Sequence, residues 1–386
     1  MNHNFLEHFY DRTLGKLNLD FIKSVPEIDV LNTCEQNPKW HAEGDAFKHT
    51  MLAYEKLENE IFNDISFSLS ETELIIIRAA VVLHDIGKGV TTTRGKDGNW
   101  RSYQHEVEGE KIARLLLWNE DFDIRETICV LIRYHMEPLR IFEHKNWFTR
   151  FIEIGCSVCW KYLYYVKKAD LLGSIQSDKE SFAKDLQKLE FIKDTAKSLG
   201  IWEESCNNFN DLVRYSNNRK LLPWHYNYSK NKVAYIMIGL PGSGKNTYIN
   251  NVLFKKHPDA VHISRDDIRI KLGYCKEGEK YLGTEEEERN VTHAFNTIFD
   301  ETVLGDKPII LNNTHLKEKY RTENVSTLRA FGFKVIFIYV EAPTLSDNYK
   351  RRDGQIPKIT INKMALSFEY PRINEYDELI IDKQWQ

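Results

Sequence analysis

The stretch VAYIMIGLPGSGKNTYIN, residues 233–250, joins an apolar run, a glycine-rich loop, one lysine and the start of a polar helical segment. This order predicts a β-strand that turns through the loop into a helix. Gly239, Gly242 and Gly244 can adopt backbone angles closed to other residues, so that successive N–H groups face a phosphate at the positive end of the helix dipole. Lys245 can then reach the β and γ oxygens. The stretch therefore predicts a cradle for a nucleoside triphosphate.

The residue after the lysine departs from the usual pattern. Where Ser or Thr normally helps to hold Mg²⁺, this chain has Asn246, followed by Thr247. An amide oxygen is a weaker ligand for Mg²⁺ than a positioned hydroxyl group. The alternative is a glycine turn that binds nothing, which the lysine and the strand–helix context disfavour. The predicted nucleotide-binding residues are Gly242, Ser243, Gly244, Lys245, Asn246 and Thr247.

The chain around this loop changes character once. Residues 1–202 show apolar residues at helical spacing and predict an all-α domain. Residues 203–231 lose this periodicity, accumulate Asn, Ser and Tyr, and predict a linker. Residues 232–386 alternate short β-rich runs with helical segments, which predicts an α/β domain with a central parallel sheet. Ligands of such sheets bind at the carboxyl ends of the strands.

Composition limits the classes of protein. The chain has 386 residues, 42% hydrophobic content and a net charge of -4, so any site for a polyanion must be a local basic patch. No apolar run approaches the roughly 18 residues of a membrane span, and the first residues are polar. The six cysteines are scattered. We therefore expect a cytoplasmic protein without a membrane segment, and we interpret Cys156 and Cys159 as part of a buried helix face rather than a metal site.

The first domain contains a series of histidines and acids in short polar motifs. Imidazole and carboxylate groups suit Mn, Fe, Co, Ni or Zn, and several of them on helices around one core could enclose a two-metal centre. A single histidine is more often a surface or core residue than a ligand. The pair His84-Asp85 is harder to explain in that way, because burying a carboxylate after an apolar run is costly without a cation. The series comprises His41, His49, His84, Asp85, His105, His135 and Asp170.

The order H, HD, H, H, D with HDIGK in the middle resembles the HD phosphohydrolase superfamily, and HAEGDAFKHT resembles the HD domains attached to bacterial tRNA nucleotidyltransferases. The resemblance implies hydrolysis of phosphomonoesters or cyclic phosphodiesters. It also implies that His49, His84, Asp85 and Asp170 hold one metal, and that His105, His135 and a bridging Asp85 hold a second. His41 and Lys88 would lie in the outer shell of the metals or contact the substrate phosphate. Arg94 is a further candidate phosphate contact, in a loop that also carries Lys96 and Arg101; the alternative is a solvated loop that binds nothing.

The second domain resembles the phage-type 5′-hydroxyl polynucleotide kinases through the loop, ISRDDIR, NNTH and YKRRDGQIP. The resemblance implies that Asp266 is the general base and that Arg269 holds the acceptor phosphate. Arg352 would act as the lid arginine, although Arg351 fits nearly as well. Asn313 stands where that family usually has an acid. The alternative for Asp266 and its neighbour Asp267 is a helix cap.

Together the halves resemble bacterial fusions of an HD phosphohydrolase with a P-loop polynucleotide kinase, which heal broken RNA ends. The resemblance implies a bifunctional enzyme: the first domain hydrolyses 2′,3′-cyclic phosphate and 2′/3′-phosphate ends, and the second phosphorylates a 5′-hydroxyl end. The expected cofactors are ATP or another NTP with Mg²⁺, and two transition-metal ions. The expected partners are RNA ends, with DNA ends as an alternative, and a separate RNA ligase. The alternative function is an HD nucleotidase fused to a kinase of nucleosides or other small metabolites.

Overall fold

The computed structural model describes residues 4–65, 68–203, 232–276, 279, 283–352, 355–372 and 374–383. The chain divides into two compact units, Met1–Leu221 and Leu222–Gln386. The predicted linker, residues 203–231, lies outside the described residues except for Glu203.

The first unit is built from helices, as the spacing of its apolar residues predicts. Its helices are α1 Phe5–His8, α2 Leu19–Ser24, α3 Pro26–Asp29, α4 Ala46–Lys56, α5 Asn63–Ile65, α6 Glu71–Leu83, α7 Lys88–Thr91, α8 His105–Leu116, α9 Phe122–Tyr134, α10 Glu137–Arg140, α11 Trp147–Ser157, α12 Trp160–Gly173 and α13 Lys179–Ser198. Two short antiparallel hairpins accompany them: β1 Tyr10–Asp11 with β2 Lys16–Leu17, and β3 Thr92–Arg94 with β4 Trp100–Ser102.

Helix α6 forms part of the core of this unit and ends at the paired histidine and aspartate. It begins with a capping box, in which the Ser70 hydroxyl accepts from the Glu73 N–H and the Glu73 carboxylate accepts from the Ser70 N–H. Its segment from Ala79 to Leu83 is wholly buried, and His84 is its C-cap. Because the apolar run of α6 is buried, the side chains that follow it are also drawn into the interior.

The second unit is an α/β domain, as the alternation of β-rich and helical segments predicts. The described residues of this unit form five strands, which are all parallel and lie in the order β6-β7-β5-β8-β9. The strands are β5 Val233–Ile238, β6 Val261–Ser264, β7 Ile309–Asn312, β8 Lys334–Glu341 and β9 Glu378–Lys383. The strand of the glycine loop, β5, therefore lies at the centre, where both of its faces are buried.

Helices of this unit connect consecutive strands. They are α14 Lys245–Tyr248, α15 Phe254–Lys256, α16 Arg265–Lys271, α17 Glu285–Val303, α18 Glu318–Ala330, α19 Leu345–Arg351 and α20 Lys358–Leu366. The last segment supplies α20 and the edge strand β9, as its amphipathic pattern indicates. The predicted fold, a helical domain followed by an α/β domain with a central parallel sheet, is confirmed.

The interpretation of Cys156 and Cys159 as one helix face is wrong in detail. Helix α11 ends at Ser157, Val158 is extended, and α12 begins after Cys159. The Cys159 thiol is buried and lies 2.9 Å from the Trp202 carbonyl oxygen, and within the described residues neither cysteine is part of a disulfide. Within the described ranges, no helix combines the length and apolar character that crossing a bilayer requires.

Candidate active sites

Five imidazole rings of the helical unit lie in a row. Adjacent ring centres are separated by 4.6 Å for His41–His49, 5.4 Å for His49–His84, 5.2 Å for His84–His135 and 5.1 Å for His135–His105. The rings come from the loop before α4, from α4, from the ends of α6 and α9, and from the start of α8. All but His41 are buried. The fold therefore gathers into one cluster histidines that are far apart in the sequence.

Three of these rings are anchored in the same way. Each directs Nδ1 at the backbone carbonyl oxygen three residues earlier: His84 to Val81 at 2.7 Å, His105 to Ser102 at 2.9 Å, and His135 to Ile132 at 2.7 Å. A carbonyl oxygen can only accept, so Nδ1 carries the proton in each ring. The neutral tautomer then has its lone pair on Nε2, which is the form that ligates metals.

Two carboxylates lie among these Nε2 atoms. Oδ2 of Asp85 is 3.2 Å from Nε2 of His84 and 3.8 Å from Nε2 of His49, whereas Oδ1 is 3.3 Å from Nε2 of His105. Oδ1 of Asp170 lies 3.0 Å from Nε2 of His49 and 3.8 Å from Nε2 of His84. The two oxygens of Asp85 thus face the two halves of the cluster, which is the arrangement that a bridging carboxylate requires.

The donor set fits metal ions. Nε2 of His84 is buried and makes no hydrogen bond with any residue that the structure describes. Nε2 of His105 and Nε2 of His135 face each other at 3.2 Å, although both nitrogens carry lone pairs when the rings are neutral. Buried lone pairs and carboxylate oxygens that converge in this way are suited to hold cations between them. The set divides into His49, His84, Asp85 and Asp170 on one side, and His105, His135 and Asp85 on the other.

The charges of the cluster agree with this arrangement. Burial opposes the ionisation of Asp85, but His84, Lys88 and His105 together hold the pKa of its carboxyl well below the usual range. Burial and the neighbouring His105 hold the pKa of His135 well below its usual value. Asp85 is therefore ionised and His135 is neutral, and these are the protonation states of metal ligands. Burial opposes the charged form of His49, but hydrogen bonds with Asp170 and Glu43 raise its pKa to about 9, so a metal at this ring has to displace a proton.

Sequence reasoning missed two buried side chains that contact the cluster. Nζ of Lys167 donates to Oδ2 of Asp170 at 2.6 Å, and the lysine lies one helical turn earlier on α12. Glu43, within the HAEGD motif, lies 2.8 Å from Nδ1 of both His41 and His49. The acid between two motif histidines was the available signal for Glu43. The spacing of three residues on one helix was the signal for Lys167.

The candidate phosphate contacts fall in different places. The ring of His41 is packed against that of His49, and its side chain is 22% exposed. Nζ of Lys88 lies 2.7 Å from Oδ2 of Asp85 and donates to Gln36. Arg94 lies on the β3–β4 hairpin, where it donates to the Gly98 carbonyl oxygen. The structure therefore brings His41 and Lys88 to the cluster, while the contacts of Arg94 are to its own hairpin.

The glycine loop of the α/β unit follows β5 at the carboxyl end of the sheet. Gly242 and Gly244 have φ angles of 78° and 105°, which residues with a side chain rarely adopt. Gly244 is the N-cap of α14 and Lys245 is its first residue. Nζ of Lys245 donates to the carbonyl oxygens of Gly239 and Leu240, both at 2.9 Å. The loop thus has the strand–turn–helix context that the phosphate-binding motif needs.

Asparagine side chains occupy the positions around the predicted Mg²⁺ site. Oδ1 of Asn246 accepts from Nδ2 of Asn312, at the end of β7, at 3.0 Å. Oδ1 of Asn313 accepts from the N–H of Arg265 at 3.2 Å, which fixes the start of α16. The amide oxygen of Asn246 is therefore engaged, and Asn313 supports the helix that carries Asp266.

Asp266 lies in the first turn of α16, directly after β6. The N-cap of this helix is Ser264, whose hydroxyl accepts from the Asp267 N–H, so Asp266 is not the capping residue. Its side chain is 76% exposed, and Oδ1 lies 2.6 Å from a guanidinium nitrogen of Arg269. Arg269 also contacts Glu288 of α17 at 2.9 Å. The carboxylate is therefore accessible and held by an arginine one helical turn away.

The two arginines at the end of α19 contact the glycine loop differently. Arg351 donates to the Gly242 carbonyl oxygen at 3.2 Å. The stem of Arg352 packs against Gly242, and its guanidinium donates to Gln355. Burial and the charge of Arg352 lower the pKa of Lys245 to about 7. The charge of Arg352 is therefore close to Lys245, the lysine of the glycine loop.

Comparison with known families agrees with the division of the chain into a helical unit and an α/β unit. Residues 47–174 match a family model described as "HD domain". Residues 235–371 match a family model described as "AAA domain". The first match includes every residue of the histidine cluster except His41. The second includes the glycine loop, Asp266 and Arg352. The chain therefore contains a segment similar to HD domains, followed by a segment similar to AAA domains that carries the glycine loop.

Individual proteins match over parts of the chain. A "Multifunctional CCA protein" of Alkalilimnicola ehrlichii is 30% identical over 125 residues, covering 31% of this chain and 26% of that protein. A protein of the same name from Halorhodospira halophila is 31% identical over 121 residues, with the same coverage of 31% and 26%. The chain thus spans about a quarter of the length of these relatives. A gluconokinase from Sinorhizobium meliloti 1021 is 16% identical, with a TM-score of 0.29, covering 41% of this chain and 86% of that structure.

Proposed function

We propose that this chain heals broken RNA ends, with one activity in each unit. The observation that carries the proposal is the presence in one chain of two sites of complementary chemistry. One is the buried His/Asp cluster with donors for two cations, and the other is a glycine loop with Lys245 and the accessible carboxylate of Asp266, which is paired with Arg269. Many ribonucleases leave a 2′,3′-cyclic phosphate and a 5′-hydroxyl, and one site suits each of these ends.

In the first unit, His49, His84, Asp85 and Asp170 would hold one transition metal, and His105, His135 and Asp85 the other. Mn, Ni, Co, Zn and Fe all suit these donors, and such ions polarise a phosphate and lower the pKa of bound water. The protein orients its own donors through the backbone bonds to Nδ1. His41 and Lys88, at the cluster, would bind the phosphate oxygens of the substrate, with Arg94 as a further contact.

In the second unit, the loop from Gly242 to Thr247 would hold the triphosphate of ATP or another NTP, with Mg²⁺. Asp266 would accept the proton of the 5′-hydroxyl as its oxygen attacks the γ-phosphorus and the bond to the β-phosphate oxygen breaks. Arg269 would hold the phosphate that follows the acceptor nucleotide. Arg352 would offset the negative charge of the transferring group.

Resemblances of sequence favour an RNA end over a small metabolite as the substrate. HAEGDAFKHT resembles HD domains attached to tRNA nucleotidyltransferases, and ISRDDIR with the two lid arginines resembles polynucleotide kinases. The healed ends, a 5′-phosphate and a free 3′-hydroxyl, are those that a conventional ligase joins. We therefore propose that the chain acts in the cytoplasm before a separate RNA ligase.

The test is one incubation of the full chain with a short RNA that carries a 5′-hydroxyl and a 2′,3′-cyclic phosphate. The reaction contains Mg²⁺, a transition metal and labelled ATP, and both ends are then analysed. A 5′-phosphate together with a free 3′ end is the expected product. The proposal is overturned if neither end changes while nucleosides are phosphorylated or mononucleotides are hydrolysed, because that outcome indicates a nucleotidase fused to a metabolite kinase.

Two substitutions assign each activity to its unit. Asp266→Ala should abolish phosphorylation of the 5′ end and leave hydrolysis at the 3′ end unchanged. His84→Ala should have the reverse effect. Loss of both activities from either folded variant would contradict the assignment of one reaction to each unit.

A further inference from the structure

Glu43 makes contacts that the proposed reaction leaves unused. Its side chain is 2% exposed, and Oε1 accepts hydrogen bonds from Nδ1 of His41 and from Nδ1 of His49, both at 2.8 Å. Oε2 accepts from the backbone N–H of Ile175 at 2.9 Å. A buried carboxylate is costly unless every oxygen is hydrogen-bonded, and here three N–H groups meet that requirement.

These contacts determine which nitrogen of His49 can release its proton to a metal. Because Oε1 of Glu43 can only accept, Nδ1 of His49 carries a proton, and Nε2, which lies 3.0 Å from Oδ1 of Asp170, is the nitrogen whose proton a metal would displace. The other three buried rings of the row direct Nδ1 at backbone carbonyl oxygens. Among these four rings, only His49 has its orientation set by a side chain, so it is the one whose orientation a single substitution can change.

Glu43 also connects two distant parts of the chain. The loop before α4 carries His41 and Glu43, and Ile175 follows α12, which carries Asp170. A second bond reinforces the same junction, since the Ala42 N–H donates to the Ile175 carbonyl oxygen at 3.0 Å. The carboxylate therefore ties the element that supplies His49 to the element that supplies Asp170, whose Oδ1 lies 3.0 Å from Nε2 of His49.

We propose that Glu43 is the positioning residue of the metal centre: it sets the tautomer of His49 and of His41 and holds the His49 and Asp170 elements together. The inference rests on the proposed metal centre of the first unit. Carboxylates that accept from a ligating histidine fix the ring and raise its basicity, and their loss typically weakens metal binding by about 10–100-fold. In this protein one carboxylate serves two adjacent rings, one at the metal site and one at the substrate phosphate.

The test is a titration of the metal-free full chain with Zn²⁺ or Mn²⁺, with bound metal measured directly. Glu43→Ala should weaken binding by about 10–100-fold. Glu43→Gln should have a smaller effect, because its oxygen can still accept from one ring while its NH₂ group would face the N–H of Ile175. Glu106→Gln is the matched control. The Glu106 carboxylate lies 3.5 Å from Nδ1 of His105, but Nδ1 of His105 donates to the Ser102 carbonyl oxygen instead. Removing the negative charge of Glu106 should therefore leave metal affinity unchanged.

A second measurement separates positioning from a general structural role. Nitrogen-15 NMR of the imidazole rings in the Zn²⁺-loaded protein should show His49 protonated at Nδ1 in the wild type and in a changed state in Glu43→Ala, with the rings of His84, His105 and His135 unaltered. The inference is overturned if Glu43→Ala keeps both the tautomer and an affinity within about threefold of the control, an effect well below that of a typical supporting carboxylate. If Glu43→Ala does not fold, Glu43→Gln takes its place, and an affinity of Glu43→Gln equal to that of Glu106→Gln overturns the inference. A wild-type protein that binds no metal would instead refute the metal centre itself.

Discussion

Replacing Gly87 with alanine should damage one half of the histidine cluster. Gly87 lies in the HDIGK motif, two residues after Asp85, with ordinary helical backbone angles. A methyl group at Gly87 would lie 2.0 Å from the His105 carbonyl oxygen and 2.5 Å from the Gly109 nitrogen. Both neighbours are backbone atoms of α8, so no side chain can rotate away to make room.

The size of the displacement follows from these distances. An ordinary contact begins near 3.4 Å, so the start of α8 must move by about 1.4 Å relative to Gly87. Nε2 of His105 now lies 3.3 Å from Oδ1 of Asp85. Ligand distances tolerate changes of about 0.2 Å, and the movement is several times larger. We therefore expect the His105–His135 half of the site to fail, with an overpacking cost of about 1–3 kcal/mol in the free energy of unfolding.

Metal analysis at concentrations that saturate the wild-type protein tests this expectation. Gly87→Ala should bind one ion per chain where the wild type binds two, and thermal unfolding should show the loss of stability. Gly98→Ala is the control, because a methyl group there meets nothing within 4 Å while its φ of +80° strains the backbone. A folded Gly87→Ala protein that holds two ions with wild-type affinity would refute the reasoning.

Three further outcomes concern the kinase-like unit. Asn246→Ser removes the contact with Asn312 and supplies a hydroxyl group that can bind Mg²⁺. The Mg²⁺ concentration for half-maximal phosphorylation should therefore fall by about tenfold, which corresponds to ~1.4 kcal/mol of binding free energy. An unchanged concentration in a metal titration would contradict this. Arg352→Ala should lower kcat by about 100-fold or more, whereas Arg351→Ala should mainly raise KM for ATP. Steady-state kinetics in which Arg351→Ala has the larger effect on kcat would contradict the choice of Arg352 as the lid arginine. Because burial and Arg352 lower the pKa of Lys245 to about 7, ATP binding above pH 7 must return a proton to it. ATP affinity should then fall with rising pH, and calorimetry in two buffers at pH 8 should show uptake of about 0.9 proton; no uptake would contradict a neutral lysine in the free loop.

Most of the fold could be predicted because its signals are local. The apolar run before His84 and the strand–loop–helix pattern ending in Lys245 each identify an element without reference to the rest of the chain. The β3–β4 hairpin was less accessible, since its strands are three residues long and partly exposed. The break between α11 and α12 at Cys159 was also missed, because the apolar spacing continues across it.

The candidate sites show the same difference between local signals and contacts across the chain. The motif residues were recognisable, and their ordered series indicated a cluster. The contacts of Glu43 with Ile175, and of Asn246 with Asn312, depend on segments that are far apart in sequence. No local pattern records which side chain satisfies a buried donor or acceptor, so these partners emerge only when the elements are packed.

The central claim is that the two sites act on RNA ends, and direct competition tests it. Equal concentrations of a 5′-hydroxyl oligoribonucleotide with a 2′,3′-cyclic phosphate, a nucleoside and a 2′,3′-cyclic mononucleotide are mixed with the full chain, metals and ATP. The account predicts that both ends of the oligonucleotide are processed before either small molecule is consumed. Consumption of the nucleoside and the cyclic mononucleotide first, with the oligonucleotide ends intact, would contradict it.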